Sequence, residues 1–104
     1  MTLLSPPPVD PSRGNERMLP NDMLAEQSAL GGMLLSGEAV AEVQEVVNGQ
    51  DFYAPKHEVI FSAILALFAK GEPTDVITVT DELTKSGNLV KAGGADYLHT
   101  LTSI

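Results

Sequence analysis

The sequence predicts an all-α fold, a small orthogonal bundle of about five short helices. Two observations indicate this class. From Asp22 onward, apolar residues recur at spacings of three and four within short segments, as they do along the buried face of a helix. Proline, glycine or a capping residue marks the ends of these segments, and the connections between them are brief.

The length and composition allow one domain with one modest core. The chain has 104 residues, of which 43% are hydrophobic, and it contains no cysteine and no tryptophan. Disulfides and thiolate metal sites are therefore excluded, which fits a reducing compartment. No apolar run approaches the ~20 residues that span a bilayer. The first residues lack the apolar core of a secretory signal.

Residues 1–20 differ in character from the rest of the chain. They are rich in proline and carry few large apolar side chains; the prolines are Pro6, Pro7, Pro8, Pro11 and Pro20. We predict a flexible arm here, extended where the prolines run together, and a helical domain over residues 21–104.

The first predicted helix begins after Asp22, its N-cap, and runs to about Leu35. One face of this helix combines apolar residues with an amide and a glycine: Met23, Gln27, Leu30, Gly31 and Leu34. On this face Gly31 would allow a neighbouring helix to approach closely, whereas Gly32 points away from the core. Alternatively, the helix ends at the glycine pair and restarts, because each interior glycine costs about 1 kcal/mol relative to alanine.

The second predicted helix spans residues 37–48, with Ser36 as its cap and Gly49 as its stop. Its apolar side consists of Val40, Val43, Val46 and Val47. The opposite side carries Glu38, Glu42 and Glu45. We interpret this acidic row as a solvated face first and as a docking surface second.

The third predicted helix is the central core helix. Pro55 suits its first turn, where a missing N–H costs nothing, and Gly71 follows its end. Its buried face consists of Phe61, Ile64, Leu65 and Phe68. His57 lies one turn before Phe61 on that face, where we expect it to pack over an aromatic ring. Phe52 and Tyr53 could fold back over the start of the helix.

The last two segments are shorter. In the fourth, β-branched residues could begin a strand: Val76, Ile77 and Val79. Alternatively, Thr78 caps a helix with Asp81 in the capping-box position, and Leu83 faces inward. The fifth predicted helix begins near Gly94, after a glycine turn, and has Tyr97, Leu98 and Leu101 on one side.

The charge and the motifs restrict the chemistry. Fourteen acidic and six basic residues give a net charge of −8, which disfavours direct binding of DNA. No GxxxxGK[ST] phosphate loop and no GxGxxG sequence occurs. His57 and Glu58 point to different faces of one helix, and His99 lacks a partner at ligand spacing. We therefore predict no catalytic, cofactor-binding or metal-binding residue.

Three blocks of the sequence resemble a known family. The blocks are "LPNDMLAEQSALGGMLL", "DFYAPKHEVIFSAILALFAKGEPTDVITVTDEL" and "GGADYLHTL". In this order and spacing they are similar to the amino-terminal domain of the hexameric bacterial replicative DNA helicase, the DnaB family, over about residues 19–104. The matching residues are Glu26, Gln27, Leu30 and Gly31; Asp51, Phe52, Tyr53, His57, Ile60 and Phe61; Pro73, Asp75 and Thr78; and Gly93, Gly94, Tyr97 and Leu98.

The resemblance implies an assembly role in a cytoplasmic bacterial helicase. In that family, the domain precedes a helical hairpin, a linker and a motor of RecA type that uses ATP and Mg²⁺. The amino-terminal domains form a collar, a trimer of dimers in the hexamer, which binds the carboxy-terminal domain of primase and, in some systems, helicase loaders. Because this chain ends at Ile104, we expect it to be a fragment that neither hydrolyses ATP nor binds DNA or membranes directly.

By the same resemblance, Glu26, on the exposed side of the first helix, and Tyr97 are candidates for contact with primase. Gln27, Gly31, His57 and Phe61 are candidates for structural roles. Tyr97 could instead be a half-buried core tyrosine. Two other classes remain open: a free-standing all-α adaptor with no motor in its parent protein, and a small hydrolase that uses His57 or His99.

Overall fold

The computed structural model describes residues 22–104, which form five α-helices and one 3-10 turn. The elements are α1 (Met23–Leu35), α2 (Gly37–Gln44), the 3-10 turn (Gly49–Asp51), α3 (Pro55–Ala69), α4 (Val76–Lys85) and α5 (Gly94–Leu101). No strand occurs in this part of the chain, so the predicted all-α class is confirmed. The predicted arm over residues 1–20 lies outside the described residues.

Helix α1 is continuous through the glycine pair, so the alternative of a broken helix is wrong. The Asp22 carboxylate accepts hydrogen bonds from the backbone N–H groups of Leu24 and Ala25, which caps the helix as predicted. The buried face differs from the predicted one and consists of Glu26, Leu30, Gly31, Met33 and Leu34. Met23 is 41% exposed instead, because the side of the helix that carries Glu26 and Met33 turns inward.

Helix α2 ends at Gln44, four residues before the predicted end. Asn48 is extended there and forms a capping box with Asp51, which starts the 3-10 turn in place of another helical turn. Val47 is buried and Val46 is exposed. Ser36 is the N-cap residue as predicted, although its side chain makes no capping hydrogen bond.

Helix α3 lies at the centre of the bundle and packs against α1, α2, α4 and the 3-10 turn. Its buried residues are His57, Ile60, Phe61, Ala63, Ile64 and Leu67. Phe52 folds back over its start, and the Phe52 and Phe61 ring centroids lie 5.0 Å apart. Tyr53, which we expected to do the same, is exposed. Leu65 and Phe68 are only partly buried.

Helix α4 begins at Val76, so neither a strand nor a cap at Thr78 forms. Asp75 is the N-cap, and its carboxylate accepts the Thr78 N–H at 2.8 Å. This start buries Val79 and Leu83 on one face. At the other end of α4, an exposed hydrogen bond and ion pair with Asp81 raises the pKa of Lys85 above its usual value.

Helix α5 crosses α1 at Gly31. A Cβ on Gly31 would lie 3.1 Å from the carbonyl carbon of Leu101 and closer still to its oxygen. Only glycine therefore allows the two backbones to approach this closely. Gly93 is the N-cap of α5 with a φ of 100°, in the left-handed region that favours glycine, as the glycine pair predicted.

Within residues 22–104, no helix has the length and apolar character needed to cross a membrane.

Candidate functional site

A buried carboxylate organises the contact between α1 and the start of α3. The Glu26 side chain is 0% exposed. Its two oxygens accept hydrogen bonds from the backbone N–H of Tyr53 at 2.6 Å, from the N–H of Ala54 at 3.3 Å and from Nδ1 of His57 at 2.8 Å. A buried charge is tolerated only when such partners replace water, and here they do.

The amino terminus of α3 explains why this carboxylate lies here. The N-cap residue Ala54 has no side chain that could bind the free N–H groups of the first turn. Glu26 from α1 supplies the acceptor for the N–H of Ala54 itself and places its negative charge at the positive end of the helix dipole. Pro55 at the first helical position needs no acceptor.

His57 connects the carboxylate to Tyr97 of α5. An ionised carboxylate only accepts hydrogen bonds, so Nδ1 carries the proton that is directed at Glu26. On the other side of the ring, Nε2 lies 2.5 Å from the Tyr97 hydroxyl, which also accepts a hydrogen bond from Nε2 of Gln27 at 3.1 Å. In the neutral imidazole, the Tyr97 hydroxyl donates to Nε2, and each polar side-chain atom of Glu26, His57 and Tyr97 then has a partner.

We call these four residues, Glu26, Gln27, His57 and Tyr97, the Glu–His–Tyr network. Its outer end is the half-buried Tyr97 ring, which stacks on the His57 ring with 5.8 Å between centroids and 12° between planes. The Lys56 ammonium lies 3.8 Å from the centroid of the Tyr97 ring, a cation–π contact. The network thus fixes one aromatic ring and one cation at the protein surface.

The structure brings together four of the six residues singled out in the sequence. The expectation that Glu26 lies on the exposed side of α1 is wrong, because its side chain points inward to the backbone of α3. It therefore cannot contact a partner directly in this structure. Gly31 and Phe61 lie outside the network, at the crossing with α5 and in the core.

The pairing of Glu26 with His57 joins residues 31 positions apart and was not predicted from the sequence. One available signal was the helical register, because Glu26 is four and eight residues before the buried Leu30 and Leu34. A second was Ala54 before Pro55, a helix start without a capping side chain. The two backbone donors, at Tyr53 and Ala54, have no signature in the sequence.

The network holds the start of α3 and the Tyr97 ring in fixed positions. A His–carboxylate pair can serve as a base when a nucleophile or substrate reaches the ring. Here Glu26 and His57 are both 0% exposed, and both nitrogens of the ring are occupied. Within residues 22–104, no group of three or more His, Asp or Glu side chains could hold a metal ion.

The Tyr97 hydroxyl can be tested by Tyr97→Phe. This change leaves Nε2 of His57 buried without its partner, so we expect a loss of about 1–3 kcal/mol in the free energy of unfolding. Urea denaturation, monitored by circular dichroism, measures this free energy. Tyr53→Phe is the control, because Tyr53 is exposed, and its effect should stay within about 0.5 kcal/mol. Equal effects for the two variants would contradict the geometry described above.

Comparison with known proteins shows that the chain is similar to DnaB helicases. Residues 18–104 match the family model of the DnaB-like helicase N terminal domain. The chain is 71% identical over 92 residues to the "Replicative DNA helicase DnaB" of Leifsonia xyli, covering 88% of this chain and 20% of that protein. It is 52% identical over 95 residues to the protein of the same name from Mycobacterium leprae, covering 91% of this chain and 16% of that protein.

A solved structure shows the same fold. The crystal structure of the N-terminal domain of DnaB helicase from Mycobacterium tuberculosis superposes with a TM-score of 0.79 at 54% identity, over 81% of this chain and 61% of that one. The chain thus spans about one fifth or less of the length of these two curated relatives.

Proposed function

Because the chain belongs to the DnaB-like helicase N terminal domain family, we propose that it is the assembly and protein-interaction domain of a hexameric, ATP-dependent replicative DNA helicase. In this proposal the domain forms the collar of the ring, as a trimer of dimers, and recruits primase at the replication fork. Helicase loaders are further partners of the same collar in this proposal.

The observation that carries the proposal is the half-buried Tyr97 ring at the outer end of the Glu–His–Tyr network. Tyrosine is enriched among residues that dominate binding energies, because it offers a large contact area with few rotatable bonds. Hydrogen bonds to His57 and Gln27 hold this ring in one orientation before a partner arrives. Preorganisation of this kind reduces the entropy lost on binding.

Binding to the carboxy-terminal domain of primase tests the proposal. Calorimetry with the chain and that primase domain should show binding that Tyr97→Ala weakens about tenfold or more, as expected for the loss of a central aromatic contact. Val90→Ala is the matched control, because Val90 is 91% exposed and lies outside the network. Circular dichroism establishes that both variants are folded. Unchanged affinity in a folded Tyr97→Ala chain would contradict the role of Tyr97.

We place the ATP and Mg²⁺ sites, and the motor activity, in a RecA-type domain of the parent protein that lies outside this sequence. Support comes from the small share of the replicative helicases that the chain covers. The gene should therefore encode a helical hairpin, a linker and a GxxxxGK[ST] loop beyond the codon for Ile104. A stop codon at that point would contradict the helicase role and favour a free-standing adaptor.

The charge of the domain leads to a prediction about DNA. With a net charge of −8, the chain should show no salt-dependent affinity for single-stranded DNA at physiological ionic strength. Fluorescence anisotropy of a labelled oligonucleotide, titrated with the chain at several salt concentrations, measures this. Micromolar binding that weakens steeply as salt increases would show that the charge argument is wrong.

A further inference from the structure

A groove lies at the far end of α1 from the buried Glu26. It has a volume of about 360 Å³ and is bounded by the α1–α2 junction on one side and by the α3–α4 loop on the other. Its apolar lining consists of Leu34, Leu35, Phe68 and Pro73. Leu34 follows Glu26 by eight residues, about 12 Å along the helix axis, so the groove and the Glu–His–Tyr network are separate surfaces.

One side-chain and one backbone hydrogen bond hold the two walls of the groove in place. The hydroxyl of the buried Thr74 donates to the backbone oxygen of Met33 at 3.4 Å, which ties the α3–α4 loop to the last turn of α1. The loop itself closes the end of α3, where the N–H of Glu72 donates to the oxygen of Leu67 at 2.9 Å. The groove is therefore part of the folded structure and needs no rearrangement to exist.

The groove exposes apolar surface that the domain does not use. Leu35, the last residue of α1, is 69% exposed, and Phe68 on the opposite wall is only partly buried. A large apolar side chain bound between them would remove both from water, which is the main driving force of association.

The rim of the groove is acidic. Glu72 and Asp75 belong to its lining and are exposed, and none of the lining residues is basic. The neighbouring cation, Lys70, lies 3.8 Å from Glu82 and is directed toward α4. Both acidic residues lie on the wall that the α3–α4 loop forms, so an approaching chain meets negative charge along that wall beside the apolar lining, in a domain that is itself strongly acidic.

We propose that this groove docks a short segment of a partner protein in which an apolar side chain is flanked by lysine or arginine. The apolar side chain fills the space between Leu35 and Phe68, and the basic residues pair with Glu72 and Asp75. Charge complementarity selects this occupant over an acidic or purely apolar segment. The proposal does not rest on primase binding through Tyr97.

Three synthetic peptides and two-dimensional ¹H–¹⁵N NMR of the chain test the proposal. The first peptide has an apolar pair between basic residues, Lys-Arg-Leu-Leu-Lys-Arg. The second replaces the two leucines by alanine, and the third replaces the basic residues by glutamate. The first peptide should shift the amide signals that border the groove: those of Leu35, Gly37, Gly71, Glu72 and Thr74. The other two should bind about tenfold more weakly or not at all, since each lacks one of the two contributions.

Two variants locate the binding. Leu35→Asp and Glu72→Lys change exposed residues, so both variants should fold. Each should weaken the binding of the first peptide about tenfold. Val90→Asp is the matched control for Leu35→Asp, an exposed apolar residue elsewhere, and should leave binding unchanged. Equal effects of Leu35→Asp and Val90→Asp, or signal shifts away from the groove, would overturn the proposal.

The same spectra distinguish other occupants. Groove signals that shift with protein concentration in the absence of peptide would assign the groove to a second copy of this chain. Groove signals that shift when residues 1–20 are removed, together with tighter peptide binding, would assign it to the chain's own amino-terminal segment. Either result would overturn a partner protein as the occupant.

Discussion

Glu26→Gln should destabilise the domain by about 3 kcal/mol or more, because it leaves buried hydrogen-bond donors without an acceptor at a cost of about 1–3 kcal/mol each. The amide keeps one acceptor oxygen where the carboxylate offered two. Its NH₂ group is itself a donor, so it cannot accept the hydrogen bonds of the groups that it faces. Tyr53, Ala54 and His57 then compete for one oxygen. For a domain of this size, thermal denaturation should show a midpoint lower by at least about 12 °C.

Glu58→Gln is the control for this experiment. Glu58 is an exposed acidic residue in the first turn of α3, so its loss removes a favourable interaction with the helix dipole and little else. Its expected effect is about 0.3–1 kcal/mol. If Glu26→Gln were no more destabilising than Glu58→Gln, the buried carboxylate would not be organising the start of α3.

Gly31→Leu should also destabilise the domain strongly, by about 1–3 kcal/mol or more, because the new side chain runs into the backbone of Leu101. A backbone carbonyl cannot rotate away as a side chain can, so α5 has to move as a whole. Chemical denaturation with urea gives the free energy of unfolding. An unchanged midpoint would mean that α1 and α5 do not cross closely in solution.

The adjacent glycine provides the matched control. Apart from the surrounding backbone of α1 itself, no heavy atom lies within 4 Å of the position of a Cβ on Gly32, which occupies the same helix. Gly32→Ala should therefore stabilise the domain by up to about 1 kcal/mol through helix propensity alone. A loss of stability at Gly31 together with a gain at Gly32 would show that the close approach of α5, and not the general effect of glycine in a helix, determines the result at Gly31.

The features that the sequence predicted correctly depend on near neighbours. The cap at Asp22, the proline at the start of α3 and the glycine turn before α5 each act within one helical turn. The errors have a related cause. Asp75 and Thr78 are both able to cap a helix, and the choice between them depends on which start buries Val79 and Leu83 against the bundle.

The candidate site was predictable only in part, for a different reason. Tyr97 and Glu26 drew attention through the resemblance, and His57 through its position beside the aromatic core. Their arrangement depends on packing between helices that are distant in the chain, which no local pattern encodes. A carboxylate in a helix is usually solvated, so the burial of Glu26 becomes evident only when the free N–H groups at the start of α3 are counted.

The Glu–His–Tyr network also has a consequence for how the domain forms during synthesis. It joins residues 31, 40 and 70 positions apart along the chain. Helices α1 and α3 can pack together once residue 69 has emerged from the ribosome, but Nε2 of His57 has no protein partner until Tyr97 follows. The last quarter of the domain therefore completes the first, and a nascent chain that ends before α5 exposes a polar group that the finished domain conceals.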